Sequence, residues 1–322
     1  MKLVVMIPAY NEEESIGKVI REIPREIDGI EDIEVVVIND GSTDNTEKVA
    51  IESGAHHVIT HKRNLGLARA FKTGLDYALK LGADVIVNID ADGQYNAKEI
   101  PKLISPILEG EADIVIGDRQ IDKLDHMPKA KKIGNKIATW VTAKLAGIDV
   151  RDAQSGFRAF SRKAAMMMNV LGDYTYVQET IIQAANKGLK IEWIPIKFRK
   201  REGKSRLIPN IWSYAKRAGM TILRTYRDYH PLSVFLGIGG ILLLVGLIFA
   251  LRVLIHYIQT GMVTPYLPSA VLAVMLIVVG SITIVFGLVA DMLKMQRLML
   301  EEVLYRLKEM EEAETRSKSR QK

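Results

Sequence analysis

Val85-Ile86-Val87-Asn88-Ile89-Asp90-Ala91-Asp92-Gly93-Gln94 carries an apolar run into two carboxylates one residue apart, and Gly93 then lets the chain turn. Short apolar runs closed by turn residues read as buried parallel strands. An open α/β sheet gathers its ligands at the carboxyl ends of such strands. Asp90 and Asp92 at that edge, with the Gln94 amide beside them, make an oxygen-only set suited to Mg2+ or Mn2+ holding a diphosphate. Asp, Asn and Gly are also ordinary turn formers. Taken alone, the stretch supports a metal site and a plain strand-end turn equally.

The same pattern recurs on both sides of it. Leu3–Ile7 predicts a first strand, ending at Pro8-Ala9-Tyr10-Asn11-Glu12, after which Ser15 is placed to cap a helix. Ile33–Ile38 predicts a second strand, running into Asn39-Asp40-Gly41-Ser42-Thr43-Asp44, with a helix near Glu47–Ser53 and a short strand at Val58–Thr60. Asn64-Leu65-Gly66 opens a helix whose apolar positions Leu67, Phe71, Leu75 and Leu79 recur every four residues. A helix over Lys98–Glu109, a strand over Asp113–Arg119, a helix over Tyr176–Lys187 and a strand over Ile191–Phe198 complete the alternation. Such alternation predicts an α/β fold with a mainly parallel sheet. It gathers Asp40, Asp90, Asp92 and Arg119 along one edge. Neither a G-x-G-x-x-G nor a G-K-[ST] pattern is present, so carboxylates and a metal would have to hold a nucleotide's phosphates.

The chain has 322 residues and no cysteine, which excludes disulfides and thiolate zinc sites. Its net charge of +6 leaves nucleic acid and anionic membrane as candidate partners. The placement of the charge favours the membrane, because Arg199–Arg227 lies just before a long apolar tract. Leu232–Leu251 and Pro268–Ala290 carry no charged residue, and each has about the 20 residues a helix needs to cross the hydrocarbon core. Arg224, Arg227, Lys294 and Arg297 flank their outer ends, which predicts both termini in the cytoplasm. Arg252 is placed to snorkel to the interface. Met1–Pro8 is too short for a secretory signal.

Two basic segments have two readings each. Met127–Gly147, weakly amphipathic and carrying Trp140, reads as a surface helix or as one lying at the membrane interface. Arg199–Arg206 reads as a solvated charge run or as a lid whose Arg and Lys side chains clamp phosphates. Beyond the second span, Leu293, Leu300 and Leu307 recur every seven residues, with Val303 and Met310 filling further seam positions, which predicts a homo-oligomer, a tetramer among the options. Thr315–Lys322 reads as a basic tail.

Pro8-Ala9-Tyr10-Asn11-Glu12, Asp40-Gly41-Ser42-Thr43-Asp44, Asn64-Leu65-Gly66, Asp90-Ala91-Asp92-Gly93-Gln94 and Gln154-Ser155-Gly156-Phe157 stand in this order along residues 1–207. Together they resemble the inverting family 2 glycosyltransferases of GT-A fold, in the branch of dolichyl-phosphate mannose and glucose synthases. The two C-terminal spans are similar to those of bacterial polyisoprenyl-phosphate glucosyltransferases. The resemblance implies a catalytic domain over 1–207, a juxtamembrane segment over 208–231, spans over 232–256 and 267–290, and a cytoplasmic helix and tail over 291–322.

It also implies residue roles. Pro8, Tyr10, Glu12 and Asp40 would line the base and ribose pocket, with Ala91 beside it. Asp90 would contact the sugar nucleotide, while Asp92 and Gln94 would hold the metal. Arg119 and Lys131 would bind the lipid phosphate, and Asp152, Gln154 and Ser155 would sit near the acceptor. Lys200 or Arg201 would contact the diphosphate. The implied reaction is inverting hexose transfer from a sugar nucleotide, a UDP-hexose before GDP-mannose, to a polyprenyl or dolichyl phosphate at the cytoplasmic face of the membrane. A phosphate monoester with a second pKa of about 6 is already an anionic nucleophile, so no strong general base is needed. A processive polysaccharide synthase is disfavoured: its Q-x-x-R-W block is replaced by Gln183-Ala184-Ala185-Asn186-Lys187. A non-catalytic sugar-nucleotide scaffold is disfavoured by the complete set of Asp90, Asp92 and Arg119.

Overall fold

A computed structural model describes residues 1–125, 127–170, 176–200 and 230–320. Contacts divide the chain into two compact units, Met1–Ile222 with Tyr305–Lys322, and Leu223–Leu304.

The first unit is built on β1 (Lys2–Ala9), whose residues Leu3, Val4, Val5, Met6 and Ile7 are wholly buried. Burying an aliphatic side chain of this size is worth about 1.5–3 kcal/mol. β1 lies between β2 (Asp32–Asn39) and β4 (Val85–Asn88), and is parallel to both. The sheet has seven strands in the order β3-β2-β1-β4-β6-β5-β7, where β3 is His57–Thr60, β5 Ile114–Asp118, β6 Arg158–Ser161 and β7 Ile191–Pro195. Only β6 runs against its neighbours, pairing antiparallel with β4 and with β5. The α/β reading with a mainly parallel sheet therefore holds.

Alternation along β1 sends Leu3, Val5 and Ile7 to one face and Val4 and Met6 to the other. On the first face they pack with α1 (Ile16–Glu22), α2 (Thr46–Glu52) and α4 (Ile100–Leu108). On the second they meet α3 (Leu67–Lys80), α6 (Arg162–Met167) and α7 (Val177–Asn186). The four-residue spacing in α3 buries Phe71, Leu75 and Leu79, as its periodicity requires. Another helix, α5 (Lys129–Ala146), precedes β6.

Two local expectations change. Ser15 makes no side-chain cap to α1; its hydroxyl donates instead to Glu12 Oε2 at 2.8 Å. The helix expected from Lys98 begins as a 3-10 turn, Ala97–Glu99, with Asn96 Oδ1 accepting from Lys98 N, and only then becomes α4. Helix α6 carries no periodic signal, being one and a half turns long.

In the second unit, Pro231–Thr260 and Leu267–Leu307 are long and apolar enough to cross a membrane. Gly239 and Gly280 let the two helices touch through their backbones: a Cβ at either would lie within 2.9 Å of the other's carbonyl oxygen. Arg252 sits with its guanidinium 4.6 Å from the Tyr266 ring centroid. The second helix continues to Arg320, past the point expected to open a frayed tail. Leu293, Leu300, Val303, Leu307 and Met310 are all exposed in the single chain.

Candidate active site

Because β1, β2, β4 and β5 are parallel, their carboxyl ends share one edge. The strand order reverses direction at the junction of β1 and β4, where open α/β sheets form a crevice. β6 brings its amino end to the same edge, with Arg158 opposite Asn88 on one side and Ile116 on the other. The edge thus joins the ends of β1, β2, β4 and β5 to the Gln154–Phe157 loop.

The loops after β1 and β2 are laced together. Asn11, at φ 54°, receives Thr43 N on its side-chain oxygen at 2.8 Å, and its own N–H donates to Ser42 Oγ at 2.9 Å. Glu12 N donates to Thr46 Oγ1, and Asn45 N to Glu13 Oε2. Asp40 is 3% exposed, and its carboxylate accepts from Leu65 N at 2.9 Å and Gly66 N at 2.8 Å while pairing with His61 Nδ1 at 2.7 Å. It anchors the Asn64-Leu65-Gly66 loop. Gly41, at φ +71°, allows the close approach: a Cβ there would fall 2.4 Å from the Arg63 carbonyl carbon. Pro8, within β1, is buried, whereas Tyr10 and Glu12 are half-buried.

Past β4, Asp90 and Asp92 are both half-buried. Gly93 takes φ +71° and lets Asp92 Oδ1 accept from Gln94 N at 3.1 Å. The turn is fastened from outside by a short antiparallel bridge between Tyr95 and Phe198, in which Arg199 N donates to Gln94 O. Gln94 Nε2 donates to Arg199 O at 3.3 Å, which leaves the amide oxygen as an acceptor. Arg199 itself forks onto Glu22 and reaches Asn96, so it serves as a structural tie. Lys200 is exposed, and Arg201 lies outside the described residues.

Arg119 and Asp152 form a buried bidentate pair, Nε to Oδ2 at 2.7 Å and Nη2 to Oδ1 at 2.8 Å. Asp152 is fully buried and Arg119 only 7% exposed. Burial opposes both charges, but the pair overcomes it. Arg119 is pushed above the ordinary arginine range by the Asp152 and Asp90 carboxylates, and Asp152 is held below the usual carboxylate range by Arg119 and the Gln154 N–H. The guanidinium also lies 5.3 Å from the Phe198 ring centroid. Gln154 is half-buried and Ser155 buried next to this pair, whereas Lys131 stands exposed on α5. Gly156 is a second close approach: a Cβ would meet the Asp90 carboxylate oxygens at 2.7 and 2.8 Å.

The structure adds residues that the sequence reading passed over. Tyr95, 2% exposed, accepts from Gly156 N at 2.9 Å, and its ring packs between Phe157 and Phe198. Burial raises its phenol pKa far above normal, so it stays protonated. Asn88 donates to Gly156 O at 2.7 Å and to Tyr176 Oη at 2.8 Å. Arg158 is 1% exposed and bonds only neutral acceptors: Ser155 O, Val177 O, Thr180 Oγ1 and Ala153 O. Burial without a carboxylate contact lowers its pKa to about 10. Its guanidinium clamps the Ala153–Ser155 loop to the start of α7. The available signal was an arginine inside the apolar Phe157–Phe160 run.

A model described as Glycosyl transferase family 2 matches residues 4–167, and one described as Glycosyltransferase family 2 C-terminal transmembrane region matches residues 213–294. The chain is 34% identical over 217 residues, 60% of its length and 84% of the relative's, to a UDP-N-acetylglucosamine–dolichyl-phosphate N-acetylglucosaminyltransferase of Methanococcus voltae. It is 30% identical over 295 residues to Glycosyltransferase AglJ of Haloferax volcanii, spanning 90% of this chain and 92% of that one. Among solved structures, glucosyl-3-phosphoglycerate synthase of Mycobacterium tuberculosis, crystallised with Mn2+, UDP and phosphoglyceric acid, superposes with a TM-score of 0.56 at 23% identity. That match covers 70% of this chain and 78% of the other, and shows the shared GT-A fold.

Proposed function

From the premise that this chain belongs to glycosyl transferase family 2 and carries that family's C-terminal transmembrane region, we propose that it moves a hexose from a sugar nucleotide onto a polyprenyl or dolichyl phosphate. The observation that carries this reading is the crevice itself. Asp90 and Asp92 stand at the carboxyl end of β4, and the buried Arg119–Asp152 pair stands at the end of the neighbouring strands. The acceptor class is supported by the dolichyl-phosphate transferase of Methanococcus voltae and by the two helices suited to span a bilayer.

Pro8, Tyr10, Glu12 and Ala91 line the nucleotide side of the crevice, and Asp40 shapes it by fixing the Leu65–Gly66 backbone. Asp90 orients the sugar, held in place by the room that Gly156 leaves. A divalent cation fits the donor set, because Asp92 and the Gln94 amide oxygen are hard oxygen donors. Among the described residues no three His, Cys, Asp or Glu side chains gather to hold a metal, so substrate phosphates would complete the shell, as Mg2+ sites commonly allow. When bound, Mg2+ or Mn2+ neutralises the leaving diphosphate, and Lys200 and Arg201 add positive charge. Arg119 Nη1 is the donor not committed to Asp152 and is assigned to the acceptor phosphate, with Lys131, Gln154 and Ser155. In-line attack on the anomeric carbon inverts it, and positioning does most of the work.

The catalytic domain spans 1–207 and, by the flanking basic residues, faces the cytoplasm with both termini. UDP-glucose or another UDP-hexose is the favoured donor, GDP-mannose the second, and the exposed leucine seam pairs with further copies. The deciding experiment incubates membranes bearing the chain with polyprenyl phosphate and a panel of labelled UDP- and GDP-sugars. Formation of a mild-acid-labile lipid-linked sugar with one donor is expected. No lipid product with any donor would sink the proposal. Within the site, Gly156→Ala is expected to displace the Asp90 carboxylate, an overpacking cost of about 1–3 kcal/mol. It should appear as a lowered Tm with reduced transfer, and an unchanged enzyme would refute the assignment.

A further inference from the structure

Tyr95 directly follows the Asp92–Gln94 turn, yet its side chain reaches the other side of the crevice. The phenol oxygen accepts from Gly156 N at 2.9 Å, and the ring stands 5.5 Å from that of Phe157 and 5.2 Å from that of Phe198. Phe198 in turn lies under the Arg119 guanidinium, 5.3 Å from its ring centroid. The backbones are joined as well, because Tyr95 bridges to Phe198 and Gln94 O accepts from Arg199 N at 2.8 Å. One buried residue therefore ties the Asp92–Gln94 turn to the Gln154–Phe157 loop and to the segment that leads to Lys200.

Gly156, the far end of this tie, is gripped from both sides. Its N–H goes to Tyr95, and its carbonyl oxygen accepts from Asn88 Nδ2 at 2.7 Å. The gap left by its missing side chain is filled by the Asp90 carboxylate, so a shift of this peptide presses on Asp90 or withdraws from it. Close-packed interiors transmit such shifts.

The Tyr95 ring belongs to the apolar cluster on the α1, α2 and α4 face of the sheet, and phenylalanine would serve that packing equally. What phenylalanine lacks is the acceptor for Gly156 N. A buried N–H that loses its acceptor either stays unpaired or moves to find another, and both disturb the loop. The phenol is 2% exposed, and burial holds its pKa far above the ordinary tyrosine value, so it gives up no proton near neutrality.

We infer that the Tyr95 hydroxyl is a positioning group for the transfer reaction proposed above, on which this role rests. Through Gly156 it sets where the Asp90 carboxylate and the acceptor loop stand relative to the Asp92–Gln94 turn. It acts on the alignment of the two bound substrates, so its loss lowers turnover while each substrate binds nearly as before. A misplacement of about 1 Å between reacting groups costs on the order of a hundredfold in rate.

The test is Tyr95→Phe in the full membrane-bound chain, assayed with polyprenyl phosphate and the UDP- or GDP-sugar that supports transfer. kcat should fall about a hundredfold with both KM values little changed. Tyr77→Phe is the control: it removes a phenol that meets His57 Nδ1 at 3.2 Å on α3, and kcat should stay as it was. Hydrogen exchange should quicken in the peptide containing Gly156, while β1 keeps its protection. 3-Fluorotyrosine at position 95 keeps the hydroxyl and weakens it as an acceptor. There kcat should fall too, by less than in Tyr95→Phe, whereas a packing role alone would leave it unmoved. Full kcat in Tyr95→Phe, or a loss confined to the KM of one substrate, would overturn the inference. No transfer by the unaltered chain would remove the reaction, and this role with it, before any variant is compared.

Discussion

Replacing Asp92 with asparagine is expected to lower kcat/KM by about a thousandfold, roughly 4 kcal/mol of transition-state stabilisation. The substitution keeps the shape and removes the charge. Asn retains the side-chain oxygen that accepts from Gln94 N, so the turn at Gly93 should persist. The bridge between Tyr95 and Phe198, which fixes the turn from outside, does not depend on Asp92. What is lost is the negative oxygen proposed to hold the metal against the diphosphate. The measurement is activity against Mn2+ concentration, with Tm as the control for folding. The variant should need more metal and still fall short at saturation, with Tm unchanged. Full activity after chelator treatment would remove Asp92 from the metal role.

The parts of this molecule legible in its sequence were those where one residue type answers one local demand. Leu3–Ile7 and Val85–Val87 are apolar on both faces because the sheet is covered on both, and a continuous apolar run says so. The aspartates at their ends were legible because strand polarity fixes which edge they reach. Asp40 was legible as an edge carboxylate but not in its use: its three contacts come from residues 21 to 26 positions away, which no local pattern encodes. The antiparallel direction of β6 was hidden for a similar reason. Its four residues pair with strands about 40 and 70 positions earlier, and only the tertiary fold decides the direction. Arg158 shows the limit most sharply. A buried guanidinium bonded to carbonyls depends on a loop and a helix end meeting, and sequence shows only an arginine in an apolar run. Which face of α5 turns outward was not legible until the burial of Asn135 and Thr142 showed it.

Arg119→Met is expected to destabilise the folded chain by about 3–5 kcal/mol near neutral pH, because it leaves Asp152 buried without its cation. The pH dependence gives the cause away. In the native protein Asp152 is held below the ordinary carboxylate range, so its contribution to stability is present above the unfolded value of about 3.9 and is lost as pH falls through the lower folded value. In the variant, burial acts with the guanidinium gone, and the folded pKa moves above the unfolded one. The penalty is then greatest at neutral pH and is relieved as the carboxyl takes up a proton. The stability gap between the two proteins should therefore narrow on going from about pH 7 to about pH 4.5, as read by urea unfolding of the detergent-solubilised chain. The double variant Arg119→Met with Asp152→Asn should recover part of the loss, since a neutral buried pair carries no uncompensated charge. A gap that stays constant with pH would mean that Asp152 is not the group left exposed to the penalty. Activity separates the second role: in the folded fraction, the KM for the lipid phosphate should rise more than that for the sugar nucleotide. The reverse order would move Arg119 from the acceptor to the donor side of the crevice.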